Sequence, residues 1–123
     1  MIEAQKLNEG LAHFYGTQQY HRWSGLFKTV LTDGAKYLAE QAQCYWLMDV
    51  IASHLPKPVN IYPFVVAKLK KNKHDSFSFS LEDGNYNVIS SQEIEYSDFP
   101  LDEYELFVQY SGDAWVIMLT SEY

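Results

Sequence analysis

Apolar and polar positions follow two different periods along this chain. Residues 2–14 place Ile2, Leu7, Leu11 and Phe14 at helical spacing, which predicts a short amphipathic helix. Glu3 falls in its first turn, where the helix dipole favours an acid. Gly10 opposes the helix from within, and Gly16 stands where a left-handed C-terminal residue would end it. Residues 17–25, TQQYHRWSG, read as a loop, and 26–31, LFKTVL, as a short strand. Thr32-Asp33-Gly34 is a turn signal and an N-cap signal, since Thr32 or Asp33 can accept the orphan amides of a following helix. From Ala35 to His54 there is no Pro or Gly. Lys36, Glu40 and Gln43 make a polar stripe, and Cys44 to Ala52 is apolar nearly all round. This predicts one long helix over 35–55, buried on several sides and stopped by Pro56 and Pro58.

After Pro58 the period becomes two. Residues 61–70 read as a strand, KNKHD as a turn, and 76–81, SFSFSL, as a strand with Phe77, Phe79 and Leu81 on one face. Glu82-Asp83-Gly84-Asn85 reads as a tight hairpin turn, and 86–96 as the next strand. Pro100 breaks the pattern over 97–102. Residues 104–110 and 114–121 are two more strands joined at Ser111-Gly112-Asp113. Few helices beside a run of hairpin-linked strands predict an α+β fold. The expected architecture is an antiparallel sheet of five to six strands, with the long helix packed on it and a short N-terminal helix. The chain reads as a single domain, 1–123.

Length and composition narrow the classes. A chain of 123 residues buries roughly two-thirds of its unfolded surface without a metal or disulfide staple. Ten Tyr, seven Phe and three Trp exclude wholesale disorder. One Cys excludes a disulfide framework and a cysteine-rich zinc site. No apolar run reaches the ~20 residues of a membrane span, and the opening MIEAQKLNEG has no signal-peptide core. The expected location is the cytoplasm.

Charge is divided unevenly. Residues 1–73 hold all nine Lys and Arg against five acids, while 74–123 hold eleven acids and no Lys or Arg. The C-terminal part must project a negative field, which repels nucleic acid and attracts basic surfaces, unless the basic residues fold over it.

Several blocks together resemble one family: Phe14-Tyr-Gly-Thr17, Thr32-Asp-Gly34 leading into Tyr37-Leu-Ala-Glu40, Tyr45-Trp-Leu-Met-Asp49 with Ile51-Ala-Ser-His54, Tyr96-Ser-Asp-Phe-Pro-Leu101, and Ser121-Glu-Tyr123. The chain is similar, from about residue 7 onward, to the uncharacterised bacterial, phage and plasmid proteins of domain-of-unknown-function family 6876. The resemblance carries no catalytic residues over. It implies a mobile-element setting, and hence the host cytosol if phage-encoded. Small acidic proteins from such settings often block host defence proteins, an analogy of setting rather than of site.

The candidate chemistry is thin. Cys44, Asp49 and His54 cannot converge from one helix, because each five-residue step turns the side chain by about 140°. Cys44 reads as a buried thiol. Asp49, inside the apolar stretch, is expected to be a buried carboxylate tying the helix to a loop, or else the acid or base of a small pocket. His13, His21, His54 and His74 lack zinc-ligand spacing. His54 is placed to meet the helix dipole. The loop aromatics around Arg22 are expected to cap the core. Lys68, Lys70, Lys71 and Lys73 read as a solvated edge or hairpin tip. There is no P-loop, GxGxxG, GxSxG or HExxH. Neither catalytic residues, nor a metal site, nor a cofactor is expected.

Two functions of different class follow. The first is an acidic protein-binding protein, an inhibitor of a nucleic-acid-binding host defence protein of anti-CRISPR or DNA-mimic type. Its expected face is Glu93, Glu95, Tyr96, Asp98, Asp102, Glu103, Tyr104 and Glu105, which together interleave six acids with aromatics. Acids steer and aromatics supply contact energy. The expected partner is a basic protein surface, not nucleic acid or membrane, with a homodimer also open. Ile94, Phe99, Leu101 and Leu106 are expected to anchor this segment to the core. The alternative is a small enzyme or ligand-binding domain with a pocket around Asp49.

Overall fold

The computed structural model describes residues 2–22, 29–55 and 63–123. Helix α1 (Ala4–Leu11) is followed by strand β1 (Thr29–Leu31), helices α2 (Asp33–Gln41) and α3 (Tyr45–His54), and strand β2 (Phe64–Lys71). A 3₁₀ turn over Lys73–Asp75 leads to β3 (Phe77–Glu82), β4 (Val88–Ile94), β5 (Glu103–Tyr110) and β6 (Trp115–Leu119), and the chain closes on a 3₁₀ turn at Thr120–Glu122. The fold is α+β. Residues 23–28 and 56–62, including parts of the expected loop over 17–25 and of the expected strands over 26–31 and 61–70, lie outside the described residues.

The six strands form one sheet in the order β1-β6-β5-β2-β3-β4. Four of the five pairings are antiparallel, as hairpin signals predict, but β1 runs parallel to β6, so the sheet is mixed. The pairing joins residues more than eighty positions apart, and no local pattern announces it. β2 lies between β5 and β3, so Lys68, Lys70 and Lys71 stand on a central strand rather than an edge, while Lys73 lies in the turn at the tip of the β2–β3 hairpin.

One face of the sheet carries the core. Val65, Ala67 and Leu69 of β2, Phe77, Phe79 and Leu81 of β3, Leu106 and Val108 of β5, and Ile117 and Leu119 of β6 are buried. Against them pack Leu38 and Ala39 of α2, Leu47, Met48 and Ile51 of α3, and Leu7 and Leu11 of α1. Strict alternation in SFSFSL is what buries its three large apolar residues together. Gly10, unfavourable to helix propensity inside α1, lets two helices meet, since a Cβ there would land on the Tyr37 hydroxyl.

The long helix expected over 35–55 is two short ones. α2 ends at Gln41 with Ala42 as its C-cap, and Gln43 takes φ 52°. The Gln43 amide donates to the Glu40 carbonyl at 3.4 Å and the Cys44 amide to the Ala39 carbonyl at 2.8 Å. This is the Schellman pattern that closes a helix C-terminus, here with Gln where Gly is usual. The break redirects α3 and opens a polar stripe on it, so that Tyr45, Asp49 and Ser53 are exposed. α3 ends at His54, and its C-cap Leu55 has an extended backbone, as the residue before a proline prefers.

Candidate functional site

The sheet face opposite the helices is charged. Lys68 sits in register with Glu105, and Lys70 with Glu103. The Lys68 ammonium lies 3.1 Å from Glu82 and 3.6 Å from Glu105, and Lys70 lies 3.8 Å from Glu103. The carboxylates, Glu82 foremost, hold the Lys68 pKa above its ordinary value. Lys71 pairs with Asp75 at 3.2 Å. Threading basic β2 between acidic β3 and β5 therefore folds positive charge into the acidic half. Part of the expected negative field is neutralised within the chain.

The segment 93–105 divides accordingly. Glu93 accepts from Ser78 Oγ at 2.9 Å and Asn72 Nδ2 at 3.3 Å. Glu103 and Glu105 are paired as above. Glu95, Asp98 and Asp102 are exposed and make no ion pair among the described residues. Tyr96, beside them, is 70% exposed. The four anchors behave as expected from periodicity: Phe99, Leu101 and Leu106 are buried and Ile94 is half-buried. Phe99 meets Phe77 edge-on at 6.0 Å, and the Ser97 hydroxyl accepts from the Phe99 amide at 3.0 Å. The loop 97–102 is thus a pinned platform with acids around its rim.

Tyr104 does not belong with the acids. It alternates with Glu103 and Glu105 along β5 and so faces the helices, where it converges with Leu47, Leu69, Phe79 and Leu106. Burial there pushes its hydroxyl up to about 12. Reading the acids as a continuous run hid this, because a strand sends neighbours to opposite faces.

A concavity of about 250 Å³ opens on the charged face, lined by Phe64, Val66, Lys68, Glu82, Gly84, Tyr86, Glu105 and Phe107. Tyr123 stacks beside it, 5.2 Å from Phe64 and 5.5 Å from Phe107. Tyr86 is 83% exposed and holds φ 68°, a left-handed conformation that bulky residues rarely adopt. Asp83 sets that turn, accepting from the amides of Asn85 and Asn87 at 2.8 and 3.2 Å and from Asn87 Nδ2 at 3.0 Å. These bonds hold its carboxyl below the ordinary aspartate range. Sequence reasoning missed this site. Only the hairpin turn at 82–85 pointed near it.

The other singled-out residues are mostly structural. Burial drives the Cys44 thiol up to about 12, and its Sγ donates to the Leu38 carbonyl at 3.6 Å. Asp49, expected to be enclosed, lies on the exposed stripe of α3 and does not line the concavity. His54 reaches the edge strand β4: Nδ1 bonds Ser90 Oγ, Nε2 bonds Gln92 Oε1 at 2.8 Å, and the ring lies 5.2 Å from Phe79. His21 Nε2 meets Asp33 at 2.8 Å. Asp33 also accepts from the Gln18 amide at 2.9 Å, and that bond, then His21, lowers its pKa. Among the described residues no group of three or more His, Cys, Asp or Glu could hold a metal ion, and no helix is long and apolar enough to cross a membrane.

The described residues form an α+β fold that carries a pinned acidic rim and an aromatic-walled hollow. The chain belongs to the family of unknown function DUF6876, whose sequence profile matches residues 5–123. No curated protein and no solved structure matches it.

Proposed function

We propose that the chain is a small acidic protein-binding domain that docks the Glu95–Asp102 rim on a basic protein surface. One observation carries this reading. Lysines of β2 offset Glu82, Glu103 and Glu105, whereas Glu95, Asp98 and Asp102 are exposed beside Tyr96 and make no ion pair among the described residues. Uncompensated charge therefore gathers on a loop whose backbone is already pinned by Phe99 and Leu101, so little ordering entropy opposes docking. Exposed carboxylates steer association and a tyrosine supplies contact area. A net charge of -7 argues against nucleic acid as the direct ligand and for a protein whose basic groove normally takes nucleic acid, such as a host defence protein met by a mobile element.

The test is capture of partners on the tagged chain over a salt series, beside the triple variant Glu95→Lys, Asp98→Lys, Asp102→Lys. The expected result is a basic partner held at low salt, released by salt and by competing DNA, and lost with the variant while its circular dichroism stays native. Recovery of the same partner by the folded variant would overturn the reading.

A further inference from the structure

We propose that the concavity between Tyr86 and Phe107 receives an arginine side chain of a protein partner. The inference deepens the protein-binding reading, and different residues carry it.

The walls are aromatic. Phe64 and Phe107 pack at 5.2 Å, Tyr123 contacts both rings, and Tyr86 lines the same concavity. The floor is anionic in balance, with the two carboxylates of Glu82 and Glu105 around the one ammonium of Lys68. The site already stabilises a cation. Lys68 Nζ lies 5.3 Å from the Tyr86 ring centroid, within the ~6 Å reach of a cation–π contact.

Its two acids are not equivalent. Glu82 is the closer partner of Lys68 and its side chain is 12% exposed, whereas Glu105 is 3.6 Å away and 51% exposed. Glu105 therefore keeps acceptor capacity toward solvent, since a carboxylate offers about four lone-pair sites. Phe107 follows it by two residues on the same strand face. A group entering from solvent meets a free carboxylate edge and an aromatic face together.

Guanidinium fits that pair better than the alternatives. It is planar, stacks on aromatic rings and bonds a carboxylate in a fork, which an ammonium cannot do. The balance of charge disfavours phosphate or carboxylate ligands. A hollow of about 250 Å³ falls below the usual range of about 300–1,000 Å³ for small-molecule and cofactor sites, and so suits a side chain. The strained backbone of Tyr86, locked by Asp83, keeps one wall standing in solvent; strain of this kind concentrates at ligand clamps.

The experiment is an NMR titration of the full chain with N-acetyl-arginine-N-methylamide, and with the lysine and phenylalanine analogues. The arginine probe is expected to shift Phe64, Tyr86, Glu105 and Phe107 saturably, binding at least about fivefold more tightly than either analogue. Glu105→Gln and Tyr86→Leu should each weaken it by about fivefold or more. Tyr86→Leu keeps an apolar residue in the turn, and Glu105→Gln leaves the hairpin untouched, so a folding defect in one does not stand in for the result. Equal binding of all three probes, shifts located elsewhere, or an unchanged affinity in Glu105→Gln overturns the proposal. The probe requires no partner, so its failure leaves rim docking standing. The triple Lys variant of the rim should bind the probe unchanged.

Discussion

The Thr32 hydroxyl donates to Oε1 of Glu122 at 2.6 Å, a bond spanning ninety residues. Thr32 caps α2, its oxygen accepting from the Ala35 amide at 3.2 Å. Glu122 completes the cap from the other end of the sequence. Its carboxylate also accepts from the Gly34 amide at 3.0 Å and the Leu119 amide at 3.0 Å. A negative charge at the first turn of α2 is where the helix dipole favours it. Gly34 admits this contact, since a Cβ there would lie 2.5 Å from the Glu122 carboxylate.

Glu122→Ala is therefore expected to cost about 1.5–3 kcal/mol, the range for losing hydrogen bonds to a charged group. Glu122→Gln, which keeps one acceptor, should fall between variant and parent. Urea denaturation at pH 7 measures both. In a double-mutant cycle Thr32→Ala should show coupling to Glu122→Ala and none to Gln43→Gly.

Gln43→Gly is expected to stabilise the protein by about 0.5–1 kcal/mol. Gln43 pays the left-handed penalty of about 1–2 kcal/mol, offset in part by the greater chain entropy that Gly loses on folding. Thermal unfolding checks the sign. A lower midpoint would mean that the Gln43 side chain contributes more than its backbone costs.

Asp33→Asn should make stability less dependent on acid pH. The folded-state pKa of Asp33 is lowered, first by the Gln18 amide and then by His21. The carboxylate therefore contributes stability that is present above its unfolded pKa of about 4 and is lost as pH falls through the lower folded value. Parent and variant should differ at neutral pH and converge below that window. Denaturation midpoints over a series from pH 7 into the acid range read the difference, which should shrink as the pH falls. A gap that does not narrow as the pH is lowered would assign the effect to something other than this ionisation.

His54→Ala is expected to loosen β4 before it unfolds the domain. It removes the bonds to Ser90 and Gln92 and a ring contact with Phe79, at about 1–2 kcal/mol. Amide hydrogen exchange should quicken over Ser90–Ile94 and stay near parental rates in β5, because β4 is an edge strand that among the described residues pairs with β3 alone.

The strands were legible because alternation is written locally. Phe77, Phe79 and Leu81 announce one buried face without help from the rest of the chain, and the acids of 93–105 announce their exposure the same way. The predicted partner surface was legible only as composition. Its members separate once β5 sends Tyr104 inward and β2 pairs Glu103 with Lys70 and Glu105 with Lys68, residues more than thirty positions away.

By itself, the sequence determined the class of fold, the period-two core, the acidic surplus and the anchors of the rim, since each follows from neighbours a few residues apart. Tertiary structure decided the break at Gln43, where the chain accepts a strained backbone to turn α3 onto the sheet. It also decided the parallel β1–β6 pair, the lysine–carboxylate register, the His54 tie to β4 and the Glu122 cap. Each joins groups brought together only by folding, and their energies depend on distance in space, which spacing along the chain does not encode.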